Sequence, residues 1–128
     1  MANPVTTYPR LMHDWLKHEG DALLHRREAV LASGAGNLGT GTVLGKITAS
    51  GKYKRHVNGA TDGTETACAV LLSPADASAA DAKCVILTGF AEIVPSELTW
   101  DASVNNSTKK NAALAQLDAL GIRARNVV

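Results

Sequence analysis

The spacing of apolar positions changes along this chain, and each change marks a different kind of element. From residue 29 to 72, short apolar runs are broken by glycine-bearing segments, the pattern of strands joined by turns. Ala29-Val30-Leu31-Ala32 and Val43-Leu44-Gly45-Lys46-Ile47 read as strands. After the Ser50-Gly51 turn, Lys52, Lys54 and His56 alternate with Tyr53, Arg55 and Val57, which fits a solvated edge strand bearing lysines. Ala67-Cys68-Ala69-Val70-Leu71-Leu72 is apolar without interruption, as expected of a strand covered on both faces. Residues 73–81 are small and predict a connection with one helical turn opened by Pro74. A second apolar stretch spans residues 83–93, with a bulge or bend at Gly89 and an end at Pro95. The period then turns helical: Ala113, Leu114, Leu117 and Leu120 share a face, Ser107 or Thr108 supplies an N-cap, and Gly121 a stop. Ile122-Arg123-Ala124-Arg125 alternates as a closing strand. The pattern predicts a mainly β, α+β fold with one helix in the C-terminal half.

Residues 1–28 form a separate N-terminal arm, ahead of a compact β-rich domain at 29–128. Pro4 and Pro9 favour an extended path. Leu11, Met12, Trp15 and Leu16 fit one stripe of a short helix, or the alternate pockets of an extended segment; the sequence leaves both open. The charges that follow, from His18 to Glu28, suit a solvated face. Tyr8, Leu11, Trp15 and Leu16 instead look prepared to dock on something.

Between arm and body, residues 33–47 hold five of the chain's eleven glycines. Gly34-Ala35-Gly36-Asn37-Leu38-Gly39 spells G-x-G-x-x-G, a dinucleotide fingerprint that works only when a helix N-terminus follows to hold a pyrophosphate. Here Thr40-Gly41-Thr42-Val43-Leu44 follows, which is strand or turn chemistry. A phosphate-loop reading fails too, because Thr40 stands where glycine is required and Ile47 follows the lysine. The stretch reads as a turn between strands.

Composition narrows the function classes. A formal charge of +1 provides no bulk attraction to nucleic acid or an anionic membrane. The basic run at 52–56 has one aromatic residue and no charge surplus behind it, a weak footprint for nucleic acid. No apolar run reaches the length of a membrane span, and the first residues lack a signal peptide's apolar core, so the expectation is a soluble intracellular product. Aromatic residues are scarce, and a core must be built from Val, Leu, Ile and Ala. That composition suits a subunit that also buries surface against copies of itself. Cys68 and Cys84 lie inside apolar runs and read as buried reduced thiols. His13, His18, His25 and His56 are scattered and read as surface histidines. The acids are dispersed, and neither G-x-S-x-G nor S-x-x-K occurs. The residues make no catalytic, metal or cofactor constellation.

An ordered series of segments resembles the head decoration proteins of tailed bacteriophages, the phage lambda decoration-protein family. Residues 27–34 lead into Gly41-Thr42-Val43-Leu44-Gly45-Lys46-Ile47. Asp62-Gly63-Thr64 then precedes the apolar strand at 67–72. Leu98-Thr99-Trp100, Ser107-Thr108-Lys109-Lys110 and the strand from Ile122 complete the series, which covers about residues 27–128. The resemblance implies a compact barrel-like decoration fold and a structural homotrimer without cofactor. It implies a place on the outer surface of the expanded head, at three-fold and quasi-three-fold sites, against the major capsid protein. There it would act as cement against the pressure of packaged DNA, after assembly in the host bacterial cytoplasm. It also implies an arm that adds backbone hydrogen bonds to a capsid strand, with Tyr8, Pro9, Leu11, Trp15 and Leu16 as the capsid-binding residues. On this reading residues 1–24 can be deleted without unfolding the body. The alternatives are a small β-rich ligand-binding domain using the Gly34–Gly45 loop, and a small hydrolase or metalloenzyme.

Overall fold

The computed structural model describes residues 15–19 and 25–124. Strands β1 (Leu16–Glu19), β2 (Arg26–Leu31), β3 (Gly36–Leu38), β4 (Val43–Lys46) and β5 (Tyr53–Arg55) come first. Strands β6 (Ala69–Leu71), β7 (Ala75–Ala77), β8 (Ala82–Leu87) and β9 (Ala91–Ile93) follow, then a 3-10 turn at Pro95–Glu97, helix α1 (Ser107–Asp118) and β10 (Ile122–Ala124).

Five strands close a small barrel in the order β2-β5-β4-β6-β8, beside a three-stranded sheet β1-β9-β10 and a two-stranded sheet β3-β7. The continuous apolar runs follow from this layering. All five barrel strands contribute to one buried cluster, the barrel interior, through Leu31, Tyr53, Leu44, Ala69, Leu71, Cys84 and Ile86. The side chains between them point outward: Val43, Val70, Leu72 and Leu87 join a second cluster with Ile93 of β9, Leu117 of α1 and Ile122 of β10. Strands β4, β6 and β8 thus serve two cores, with alternate residues feeding each.

Several elements differ from the sequence reading, each for a physical reason. Strand β5 is no edge: it lies between β2 and β4 in the closed barrel. His56, just beyond it, is buried, with Nδ1 at 2.8 Å from the Thr64 carbonyl. The connection at 73–81 holds strand β7 where a helical turn was expected. Its partner β3 runs through the G-x-G-x-x-G spelling, pairing Gly36 with Ala77 and Leu38 with Ala75. Pairing across the fold overrides the helical preference of alanine, and Ala77 is fully buried.

The cap of α1 is Asn106, one residue earlier than Ser107; its side chain accepts the Lys109 N–H at 2.9 Å. Asn caps as well as Ser or Thr, so a polar run of such residues does not single one out. Ala113 and Leu117 are buried as expected, but Leu120 lies past the helix end and is 40% exposed. Gly121 stops the helix at φ +87, and Gly89 lies in the bend between β8 and β9.

Candidate functional site

The expected capsid-binding residues divide into two groups. Tyr8, Pro9 and Leu11 lie outside the described residues. Trp15 and Leu16 lie inside the body's core, at 0% and 8% exposure, and offer almost no surface to a partner in this conformation. The proposed division at residue 28 therefore crosses built structure: β1 belongs to the sheet of β9, and β2 starts at Arg26 and pairs with β8 through Leu31.

Strand β1 is antiparallel to β9, with Leu16 opposite Ile93 and Glu19 opposite Ala91, and a bulge falls between Leu16 and His18. The Trp15 carbonyl accepts the Val94 N–H at 2.7 Å. Its indole Nε1–H donates to Thr40 Oγ1 at 3.0 Å, so the polar end of a fully buried ring is satisfied. The face of the seat is Gly41, where an added Cβ would stand 2.9 Å from Trp15 Cδ1. Gly41 also has φ +87, a conformation that favours glycine. Its backbone is tied on both sides, donating to the Leu71 carbonyl at 2.8 Å and accepting from Thr99 N at 2.9 Å. The glycine-rich stretch, which spells a nucleotide loop, here seats a tryptophan. No local signal marks this seat, because Trp15 and its hydrogen-bond partner Thr40 are 25 residues apart in the chain.

Strand β10 runs parallel to β9 on its other side, with Ala124 opposite Ile93. The chain ahead of Trp15 and the chain after Ala124 therefore start from the same end of this sheet.

Elsewhere the surface is held by short-range polar bonds. Lys54 Nζ contacts Asp62 at 2.6 Å, and Lys52 Nζ contacts Asp81 at 2.6 Å. The Lys54 contact, with the Thr64 hydroxyl and N–H, holds the Asp62 carboxyl well below the usual carboxylate range. Cys68 and Cys84 are free thiols, and burial pushes both upward in pKa. Among the described residues, no three His, Cys, Asp or Glu side chains gather where a metal could be held, and no helix is long and apolar enough to cross a membrane.

The sequence that builds this body also matches a known family. Residues 5–122 match the family of the bacteriophage lambda head decoration protein D. The chain belongs to that family. A search of curated proteins finds no match. Membership in the head decoration family carries a structural role on the phage head, and the β-rich barrel accords with the fold expected from the resemblance. The match also begins at residue 5, further toward the N-terminus than the 27–128 span of the quoted segments. Residues 5–26 thus fall within the family match, strand β1 among them.

Proposed function

We propose that this chain is a homotrimeric cement subunit, seated on the outer surface of an expanded phage head at three-fold and quasi-three-fold sites. Its partner is the major capsid protein, its assembly takes place in the host bacterial cytoplasm, and its work is to hold neighbouring capsid subunits against packaged DNA. The match to the decoration family over residues 5–122 carries this reading.

The arm does the gripping by adding an extended segment to a capsid strand, with Tyr8, Pro9 and Leu11 as anchors. Trp15 and Leu16 act at the other end, as its root. Ordering a free segment costs roughly 1–2 kcal/mol per residue, so a root already built into β1 reduces the length that capsid contacts must order. Tension on the arm passes to β1, to its backbone bonds with β9, and to Trp15 seated against Gly41. Cosedimentation with expanded, undecorated heads tests the proposal. Saturable binding at three copies per three-fold site is expected; a chain that stays in the supernatant contradicts it.

A further inference from the structure

The loop after β5 puts a side-chain amide next to a backbone nitrogen that nothing else holds. Asn58 and Gly59 are the central residues of a turn closed by the Ala60 N–H donating to the Val57 carbonyl at 3.3 Å. Gly59 has φ +86 and Asn58 has no positive φ, the pattern of a type II turn. In such a turn the central peptide unit takes no part in the closing hydrogen bond. Among the described residues the Gly59 N–H donates to no group, and nothing holds the Asn58 carboxamide. Both residues are exposed, and a Cβ built at Gly59 would meet nothing within 4 Å. The base of the turn is fixed: the Val57 N–H donates to the Thr64 carbonyl at 3.0 Å, and the Asn58 N–H to Ser103 Oγ at 2.9 Å.

Asp62-Gly63, a few residues on, is a related pair in the opposite situation. The Gly63 N–H donates to Glu65 Oε1 at 2.8 Å. Asp62 Oδ1 accepts the Thr64 N–H at 3.1 Å and the Thr64 hydroxyl at 2.6 Å, and Oδ2 meets Lys54 Nζ at 2.6 Å. A Cβ at Gly63 would collide with the Lys46 carbonyl and with Thr48, so that backbone has no room to turn. Nucleophile and carbonyl are both committed at 62–63, and both are free at 58–59.

We propose that Asn58-Gly59 is a self-modification site, where the folded chain converts its own asparagine to isoaspartate and aspartate through a cyclic imide. The Gly59 nitrogen gives its proton to solvent base and attacks Asn58 Cγ. A bond forms between that nitrogen and Cγ, the Cγ–Nδ2 bond breaks, and the amide group leaves as ammonia after taking a proton. Glycine suits the attack because no side chain crowds its nitrogen. Water then opens the succinimide ring. Cleavage at the Asn58 main-chain carbonyl gives isoaspartate, with an extra methylene in the main chain, and cleavage at Cγ gives aspartate. No electrons are transferred, and water is the only co-reactant. Either product adds a carboxylate and lowers the formal charge from +1 to zero. The chemistry requires no partner, so it stands apart from the capsid role.

The test holds the full chain folded at mildly alkaline pH and follows it by ion exchange, peptide mass mapping and isoaspartate methyltransferase labelling. Asn58 is expected to convert at least about tenfold faster than Asn37, Asn105, Asn106 or Asn111, a barrier lower by about 1.4 kcal/mol. The rate should rise with hydroxide concentration, and the methyltransferase should label residue 58 and leave residue 62 unlabelled. Asn58→Gln keeps a carboxamide but would need a larger ring. Its thermal midpoint should match that of the parent, because the Asn58 side chain is exposed and unbonded, and its label should vanish.

Earlier conversion of another asparagine overturns the site, as does label that survives in Asn58→Gln. Aspartate at 58 without isoaspartate rules out the imide. Conversion only after the chain is unfolded in urea would show that the folded turn protects the pair, and would also overturn the proposal.

Discussion

Trp15 is the largest of the fully buried side chains among the described residues, and its seat depends on the absence of a side chain at Gly41. Trp15→Ala should destabilise the chain by about 3–5 kcal/mol, the usual range for emptying a large aromatic site. Gly41→Ala should also destabilise it, through the clash with Trp15 and the positive φ. Because the clash disappears with the indole, the double variant should lose less than the sum of the two singles. Urea denaturation of all four proteins measures this, and strict additivity would show that the two residues do not share a seat.

A second residue-scale expectation concerns acid. Lys54 and Thr64 depress the Asp62 carboxyl, Ser78 depresses Asp76, and Lys52 with the Ser33 N–H depresses Asp81. A depressed folded pKa means that the unfolded chain binds more protons near its own value of about 3.9. This stabilisation is therefore present above about pH 4 and lost as pH falls through the folded values. The pairs are exposed, so each contributes little. Urea midpoints should fall below about pH 4, and Asp62→Asn should flatten the fall. Equal acid sensitivity in that variant would remove Asp62 from the account.

At the scale of elements, strands serving two cores were legible in the sequence, because both of their faces must be apolar. The run 67–72 announced β6 in this way, and helical spacing with Gly121 announced α1. Strands β1 and β7 were not legible. Each is short, and each is specified by a partner elsewhere, β9 for one and β3 for the other. The alternation around β5 was real, but alternation does not say whether a strand is an edge, so the burial of His56 could not be read from it. The helix cap gives a direct check. Asn106→Ala should cost about 1 kcal/mol and Ser107→Ala much less; the opposite order would place the cap at 107.

For the whole molecule, the two clusters share β4, β6 and β8, so barrel, outer sheet and helix stand or fall together. The sequence reading placed the boundary of a dispensable arm too far into this unit. It takes Tyr8, Leu11, Trp15 and Leu16 together as a docking segment, and of these Tyr8 and Leu11 lie outside the described residues. It could not foresee that Trp15 and Leu16 have their partners within the same chain, because Thr40 and Gly41 resemble any other turn. Deleting residues 1–24 would remove β1 and empty the seat of Trp15, and should unfold or loosen the body. Circular dichroism on heating checks this against a shorter deletion, residues 1–13, which should melt like the full chain. Matching melts for both deletions would show that β1 adds nothing to the body.

The division of labour between a gripping arm and a built-in root is tested most directly by cosedimentation with expanded, undecorated heads, comparing the full chain with the protein lacking residues 1–13. The account predicts that the shortened protein remains folded, keeps the self-association of the full chain, and no longer pellets with heads. Full occupancy of the heads by the shortened protein would contradict it.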